Sequence, residues 1–140
     1  MTTRASVVLQ TVEGQGLKVL ARVGSGGEIT MDSGPGARGA SPVEAVLAAL
    51  GGCTAMDVIG ILRKQRQQVL GYEVVVEGER RAEHPRTFTK IEVLHRVTGR
   101  DLNPAAIAEA IRLSDTKYCS VHAMLAAGAE IASRFEILPA

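Results

Sequence analysis

The sequence has few aromatic residues and almost no net charge. Tryptophan is absent, aromatic residues make up 3% of the 140 residues, and 16 basic residues against 15 acidic ones leave a formal net charge of +1. A nucleic-acid-binding surface needs a basic field and aromatic side chains for the bases, and an anionic membrane needs the same basic field. We therefore expect no nucleic-acid partner and no membrane partner.

The sequence also lacks a long hydrophobic run and a targeting signal. Its longest uncharged apolar stretch extends from Ala45 to Met56, whereas a transmembrane helix needs about 18 or more such residues. The first residues, MTTRASVVLQTVEG, do not show the basic and apolar regions of a signal peptide. We expect a core helix rather than a membrane anchor, and a cytoplasmic protein.

Cysteine is scarce, and the only two thiols are Cys53 and Cys119. In a reducing cytosol a catalytic or redox-sensing pair is a better interpretation than a static disulfide. Two inert buried thiols are the alternative, because free cysteine packs as a small hydrophobe. A metal site of Cys53, Cys119 and His122 would lack any CxxC or HxxxH spacing, and no nucleotide-binding glycine motif is present. The expectation is no metal and no cofactor.

Three short β-type runs separated by glycines begin the chain. They cover residues 5–12, 17–23 and 28–32, and they predict a three-stranded meander. A helix follows, because Ser41, Pro42 and Glu44 form a capping box with proline at the first helical position. We predict that this central helix runs to about Gln68.

The remaining pattern completes an α+β chain. Residues 72–78 and 88–97 alternate as an antiparallel strand pair, and Asn103 caps a second helix. A short helix over 120–127 and a strand over 129–138 end the pattern. Because no alternating βαβ series appears, the fold class is α+β, in a single domain over residues 1–140.

Gly51 and Gly52 stand directly before Cys53 in the central helix, where each glycine costs about 1 kcal/mol relative to alanine. We expect either close packing of another helix across them or a cleft that gives a second chain element or a substrate access to the sulfur. Asp57 lies one turn after Cys53, where its charge disfavours a thiolate, so we expect it to cap or pair elsewhere.

Cys119 precedes the predicted start of the short helix, whose N–H groups and dipole would lower the pKa of its thiol. His122 follows at i+3 and would either orient the thiol or only bond locally. Glu44 either serves only to cap the start of the central helix or holds an arginine beside the thiolate. Arg38 in a glycine-rich loop, or Arg22 on a strand, is the candidate cation, with a solvated loop charge as the alternative for Arg38.

The segments SPVEAVLAALGGCTAMDV and KYCSVHAML, separated by a strand pair, resemble the OsmC/Ohr family of thiol-dependent peroxidases over nearly the whole chain. The resemblance implies an OsmC-like fold with antiparallel sheets around a long buried helix, in an intertwined homodimer. It makes Cys53 the peroxide-attacking thiol, Cys119 the resolving thiol, and Glu44 the partner of a catalytic arginine, for which we take Arg38 before Arg22.

The predicted function is therefore reduction of organic hydroperoxides in oxidative or osmotic stress defence. Cys53 would become a sulfenic acid, Cys119 would form a disulfide with it, and an external thiol or dithiol would restore both. The alternative is a stress-related ligand-binding or structural dimer whose cysteines are only packed. Gln15–Gly16 near the place of the family's early-strand arginine favours that alternative.

Overall fold

The computed structural model describes residues 1–10 and 13–140 of the chain. These residues form two compact units, Met1–Val46 and Leu47–Ala140. Strands and helices follow one another as β-β-β-α-β-β-α-α-β, with one additional π-helical turn before the last helix. The predicted α+β class is confirmed.

The first unit contains an antiparallel meander. Strands β1 (Ala5–Leu9), β2 (Val19–Val23) and β3 (Glu28–Met31) pair in the order β1-β2-β3. Gly26, at φ 100°, takes the turn between β2 and β3 in a backbone conformation that favours glycine. Thr11–Val12, which belong to the predicted first strand, lie outside the described residues.

Helix α1 (Pro42–Lys64) begins as predicted. The Ser41 N–H donates to Glu44 Oε1 at 3.0 Å, and the Glu44 N–H donates to Ser41 Oγ at 3.2 Å. This reciprocal pair is a capping box, and it satisfies N–H groups that the first turn leaves without a helical partner.

The predicted end of α1 near Gln68 is wrong, because the helix stops at Lys64 and Gln68 already belongs to the next strand. The Gln67 N–H donates to the Leu62 carbonyl at 3.0 Å, and the Arg66 N–H donates to the Arg63 carbonyl at 3.0 Å. These two bonds form a Schellman motif, with Arg66 in the left-handed region at φ 57°. Glycine usually takes this left-handed position. Because Arg66 takes it here, no glycine in the sequence marks the end of α1.

The second unit contains a mixed sheet. Strand β4 (Gln68–Arg80) pairs antiparallel with β5 (Phe88–Arg100), and β6 (Glu130–Pro139) runs parallel to β5. The expected antiparallel pairing therefore holds for β4 and β5, whereas β6 is parallel because a long crossover separates it from β5. The crossover contains α2 (Pro104–Leu113), a π-helical segment (Ser114–Tyr118) and α3 (Ser120–Ala126).

Helix α1 is long and apolar enough to cross a membrane by length and composition. It is nevertheless a core helix, because it buries one face against other elements of the second unit. The buried residues of that face are Leu50, Gly51, Thr54, Val58 and Leu62.

The two glycines before Cys53 have different surroundings. A Cβ atom on Gly51 would meet Val76 Cγ2 on β4 at 3.2 Å, whereas a Cβ on Gly52 would meet nothing within 4 Å. The expected close approach exists at Gly51, but within the second unit it is made by a strand and not by another helix.

A buried polar pair joins β4 and β5. The Tyr72 hydroxyl lies 2.6 Å from Nδ1 of His95, which is fully buried. Burial, followed by the charges of Asp115 and Asp57, raises the pKa of Tyr72 far above its usual value, while burial lowers the pKa of His95 against an opposing effect of Asp115. Tyr72 is therefore the donor and His95 is a neutral imidazole.

We predict that the contribution of His95 to the free energy of unfolding is constant above about pH 6.5 and falls as the pH is lowered below it. The unfolded chain protonates this histidine near its ordinary pKa, whereas the folded chain does so only at lower pH, so protonation favours unfolding. The slope from His95 reaches at most about 1.4 kcal/mol per pH unit. Urea titrations at a series of pH values above and below pH 6.5 measure the free energy of unfolding and so give this slope.

His95→Gln should remove this part of the pH dependence, whereas the control His84→Gln, in an exposed loop, should retain it. An unchanged slope in His95→Gln would contradict a buried neutral imidazole.

Candidate active site

The second unit brings the two cysteines together. Cys53 lies within α1, Cys119 is the N-cap of α3, and both are free thiols. Their sulfur atoms and a carboxylate oxygen of Asp57 all lie within 4.8 Å of one another. Cys119 is buried, whereas Cys53 and Asp57 are half-buried. A sulfur pair that is distant in sequence is thus already assembled in the reduced protein.

The N-cap position holds the Cys119 sulfur in place. Its backbone is extended, with φ −75° and ψ 102°, and its Sγ accepts the N–H of His122 at 3.3 Å. On the preceding side, the Cys119 N–H donates to the Ser114 carbonyl at 2.9 Å, which closes the π-helical segment. The predicted helix start at Ser120 is confirmed, and sulfur takes the capping role that serine usually fills.

The expected lowering of the Cys119 pKa is not found. Burial raises the pKa of this thiol to about 11, the neighbouring Cys53 side chain adds to the increase, and the His122 N–H opposes it. The negative charges of Cys53 and Asp57 raise it further. The helix start does favour the thiolate, but desolvation outweighs it, so Cys119 is a neutral thiol near neutral pH.

A chain of hydroxyl groups holds Asp57. Ser114 Oγ donates to Asp57 Oδ2 at 3.0 Å and lies 2.8 Å from Thr54 Oγ1. Because Ser114 has one hydroxyl proton and gives it to Asp57, Thr54 is the donor in the second bond. The expectation that Asp57 caps or pairs elsewhere does not include this position beside the thiols, and its i+4 spacing from Cys53 is the one signal in the sequence that indicates it.

The His122 side chain lies beside a carboxylate, and only the His122 backbone bonds to Cys119. Its Nε2 lies 3.8 Å from Asp115 Oδ1. The residue therefore acts on Cys119 through its backbone N–H, and its ring is paired with a carboxylate. Of the two expectations for His122, the structure supports local bonding.

The other predicted site residues belong to the first unit or to the start of α1. Glu44 uses its carboxylate in the capping box, and its hydrogen bonds with Ser41 lower its pKa. Arg22 Nε pairs with Glu28 Oε1 at 3.4 Å on exposed strands. The backbone nitrogen of Arg38 lies 3.5 Å from Asp32 Oδ2 in an exposed loop. A role for Arg38 or Arg22 as the cation of the site, and for Glu44 as its partner, stays a prediction.

Comparison with known proteins finds a matching family model and a similar protein. The family model of OsmC-like proteins matches residues 34–134. Protein YhfA of Escherichia coli K12 is 48% identical over 126 residues, which cover 90% of this chain and 94% of that protein.

Solved structures agree with this fold. A hypothetical protein from Aquifex aeolicus VF5 is 28% identical with a TM-score of 0.87, covering 100% of this chain and 98% of that one. The organic hydroperoxide resistance protein OhrB of Bacillus subtilis is 15% identical with a TM-score of 0.61, covering 97% and 98%. At that identity the likeness to OhrB concerns the fold alone.

We predict that the two thiols differ in reactivity. With limiting iodoacetamide near neutral pH, Cys53 should be alkylated at least about tenfold faster than Cys119, because burial and a raised pKa leave little Cys119 thiolate. Peptide mapping by mass spectrometry gives both rates, and the urea-unfolded chain is the control in which they should converge. Equal rates in the folded protein would contradict the environment described for Cys119.

Proposed function

Because the chain belongs to the family of OsmC-like proteins, we propose that it is a thiol-dependent peroxidase that reduces organic hydroperoxides in stress defence. The observation that supports this proposal is the assembled pair of sulfurs, Cys53 and Cys119, within 4.8 Å of one another in the reduced chain. A disulfide needs a distance of about 2.05 Å, so the sulfurs have to approach by at most about 2.8 Å.

The reaction proceeds in three steps. The Cys53 thiolate attacks one peroxide oxygen, the O–O bond breaks, and the alkoxide takes a proton and leaves as the alcohol, while Cys53 becomes a sulfenic acid. The Cys119 sulfur then attacks the Cys53 sulfur and water leaves, which forms the disulfide. An external dithiol reduces the disulfide and is itself oxidised.

The surroundings of the two thiols support the roles proposed for them. Cys53 is half-buried and so is the sulfur that a peroxide in solution can reach, whereas Cys119 is only 4% exposed. The raised pKa keeps Cys119 protonated, and a neutral thiol beside Cys53 offers an S–H donor to the Cys53 thiolate. These surroundings support Cys53 as the attacking thiol and Cys119 as the resolving one.

Further parts of the proposal rest on the family and on exposure. Arg38, or else Arg22, supplies the cation that polarises the peroxide, and Glu44 holds it. Met56 and Met124, on the two helices that carry the thiols, are 76% and 73% exposed and favour an apolar substrate.

Members of the family are typically dimeric, and only 28% of the apolar window of α1 is buried in one chain, which supports a homodimer. We place the protein in the cytoplasm.

A second function is favoured by the same site. Burial of Cys119 and the carboxylate of Asp57 both oppose thiolate formation. They fit a stress-related ligand-binding or structural dimer in which the cysteines are packed and do not turn over.

We predict that the reduced protein, with a dithiol and a chelator present, consumes cumene hydroperoxide catalytically. Cys53→Ser should abolish this turnover because it removes the attacking sulfur. With peroxide and no dithiol, Cys119→Ser should stop at the Cys53 sulfenic acid, which dimedone labels. The control Ser120→Ala changes the exposed neighbour of Cys119 and should retain activity.

Turnover that survives in Cys53→Ser would refute the role of that residue. If the wild-type protein leaves the peroxide unconsumed, the packed-cysteine dimer becomes the better account.

A further inference from the structure

Three ligand atoms suited to a metal ion converge at the thiol pair. Cys53 and Asp57 are one helical turn apart on α1, so they share a face, and Cys119 closes the group from the N-cap of α3. Their two sulfurs and one carboxylate oxygen lie within 4.8 Å of one another. Two separate elements thus supply the donors, and neither CxxC nor HxxxH spacing is needed.

The chemistry of this donor set selects the ion. Thiolate sulfur and carboxylate oxygen are both ligands of Zn²⁺, and thiolates favour Zn²⁺ over Mg²⁺ or Ca²⁺. Tetrahedral zinc with Zn–S bonds of about 2.3 Å places two sulfurs roughly 3.8 Å apart. The two sulfurs, which lie within 4.8 Å of one another, need to approach by about 1 Å at most to reach this geometry.

The charges around the group favour a cation. Ionised Cys53 and Cys119 beside Asp57 would place three negative charges together. A bound divalent ion reverses this situation, because it stabilises both thiolates and the carboxylate at once.

Hydrogen bonds already orient two of the three ligands. Ser114 holds Asp57 through its hydroxyl at 3.0 Å, and Thr54 holds Ser114 at 2.8 Å. The His122 N–H holds the Cys119 sulfur at 3.3 Å. Such outer partners fix ligand orientation in known metal sites. The partial exposure of Cys53 and Asp57 leaves a path for the ion and a place for a water ligand.

We propose that the reduced protein binds one Zn²⁺ ion per chain through Cys53 Sγ, Asp57 and Cys119 Sγ, with water as the fourth ligand. Binding displaces one proton from each thiol and changes no oxidation state. The site goes beyond the proposed peroxidase activity and does not depend on it, because it needs only the two reduced thiols. Zinc and peroxide compete for the same sulfur, Cys53.

The test uses the reduced full-length chain and the metals alone. Zn²⁺ is titrated in competition with a chromophoric chelator, and Co²⁺ is added separately as a spectroscopic substitute. One equivalent of each should bind, and Co²⁺ should give the near-ultraviolet charge-transfer absorption of thiolate ligation. Cys53→Ser, Cys119→Ser and Asp57→Asn should each weaken zinc binding at least about tenfold. The control Asp115→Asn removes a nearby carboxylate outside the donor set and should bind as the wild type does.

Absence of the thiolate–cobalt absorption would overturn the proposal. So would zinc affinity that any one of the three ligand substitutions leaves unchanged. Circular dichroism of each variant shows that it is folded. Because no peroxide is present, this result is independent of turnover, and the turnover assay contains a chelator that removes zinc. Either proposal can therefore fail while the other stands.

Discussion

The contact between a sulfur in the middle of α1 and a sulfur at the N-cap of α3 is the feature on which the chemistry of this chain depends. Cys119 has an extended backbone at the cap, and the π-helical segment before it ends in a bond from the Cys119 N–H to the Ser114 carbonyl. The same Ser114 holds Asp57 through its side chain. One short segment between α2 and α3 therefore bonds both to Cys119 and to Asp57.

This arrangement gives the two thiols unequal properties. Desolvation keeps Cys119 protonated, whereas Cys53 is half-buried on the helix that carries Asp57. An acidic neighbour is unfavourable for a thiolate without a cation and favourable for two thiolates that share a metal ion. The two proposals use the same group, and each completes it with a different positive charge. The proposed peroxidase needs an arginine, and the proposed zinc site needs a metal ion.

Much of the fold could be predicted from local sequence signals. The capping box at Ser41 and Glu44, the glycine-separated strands and the Asn103 cap are all short-range patterns with a direct physical cause. The end of α1 could not be predicted, because Arg66 takes a left-handed conformation that its side chain does not favour. The parallel direction of β6 and the raised pKa of Cys119 depend on tertiary packing, which no local pattern contains. The sequence favours a place for Asp57 away from the thiols, because a carboxylate disfavours a neighbouring thiolate, and only the fold shows the two thiols on either side of it.

The most direct test of the account is the intact mass of the reduced wild-type protein before and after one equivalent of cumene hydroperoxide. The central claim is that the two assembled sulfurs react with each other once Cys53 has been oxidised. It predicts a product lighter than the reduced protein by two hydrogen atoms, which is the intramolecular disulfide. An unchanged mass, or a mass increased by oxygen with no loss of hydrogen, would contradict the claim that proximity of Cys53 and Cys119 serves catalysis.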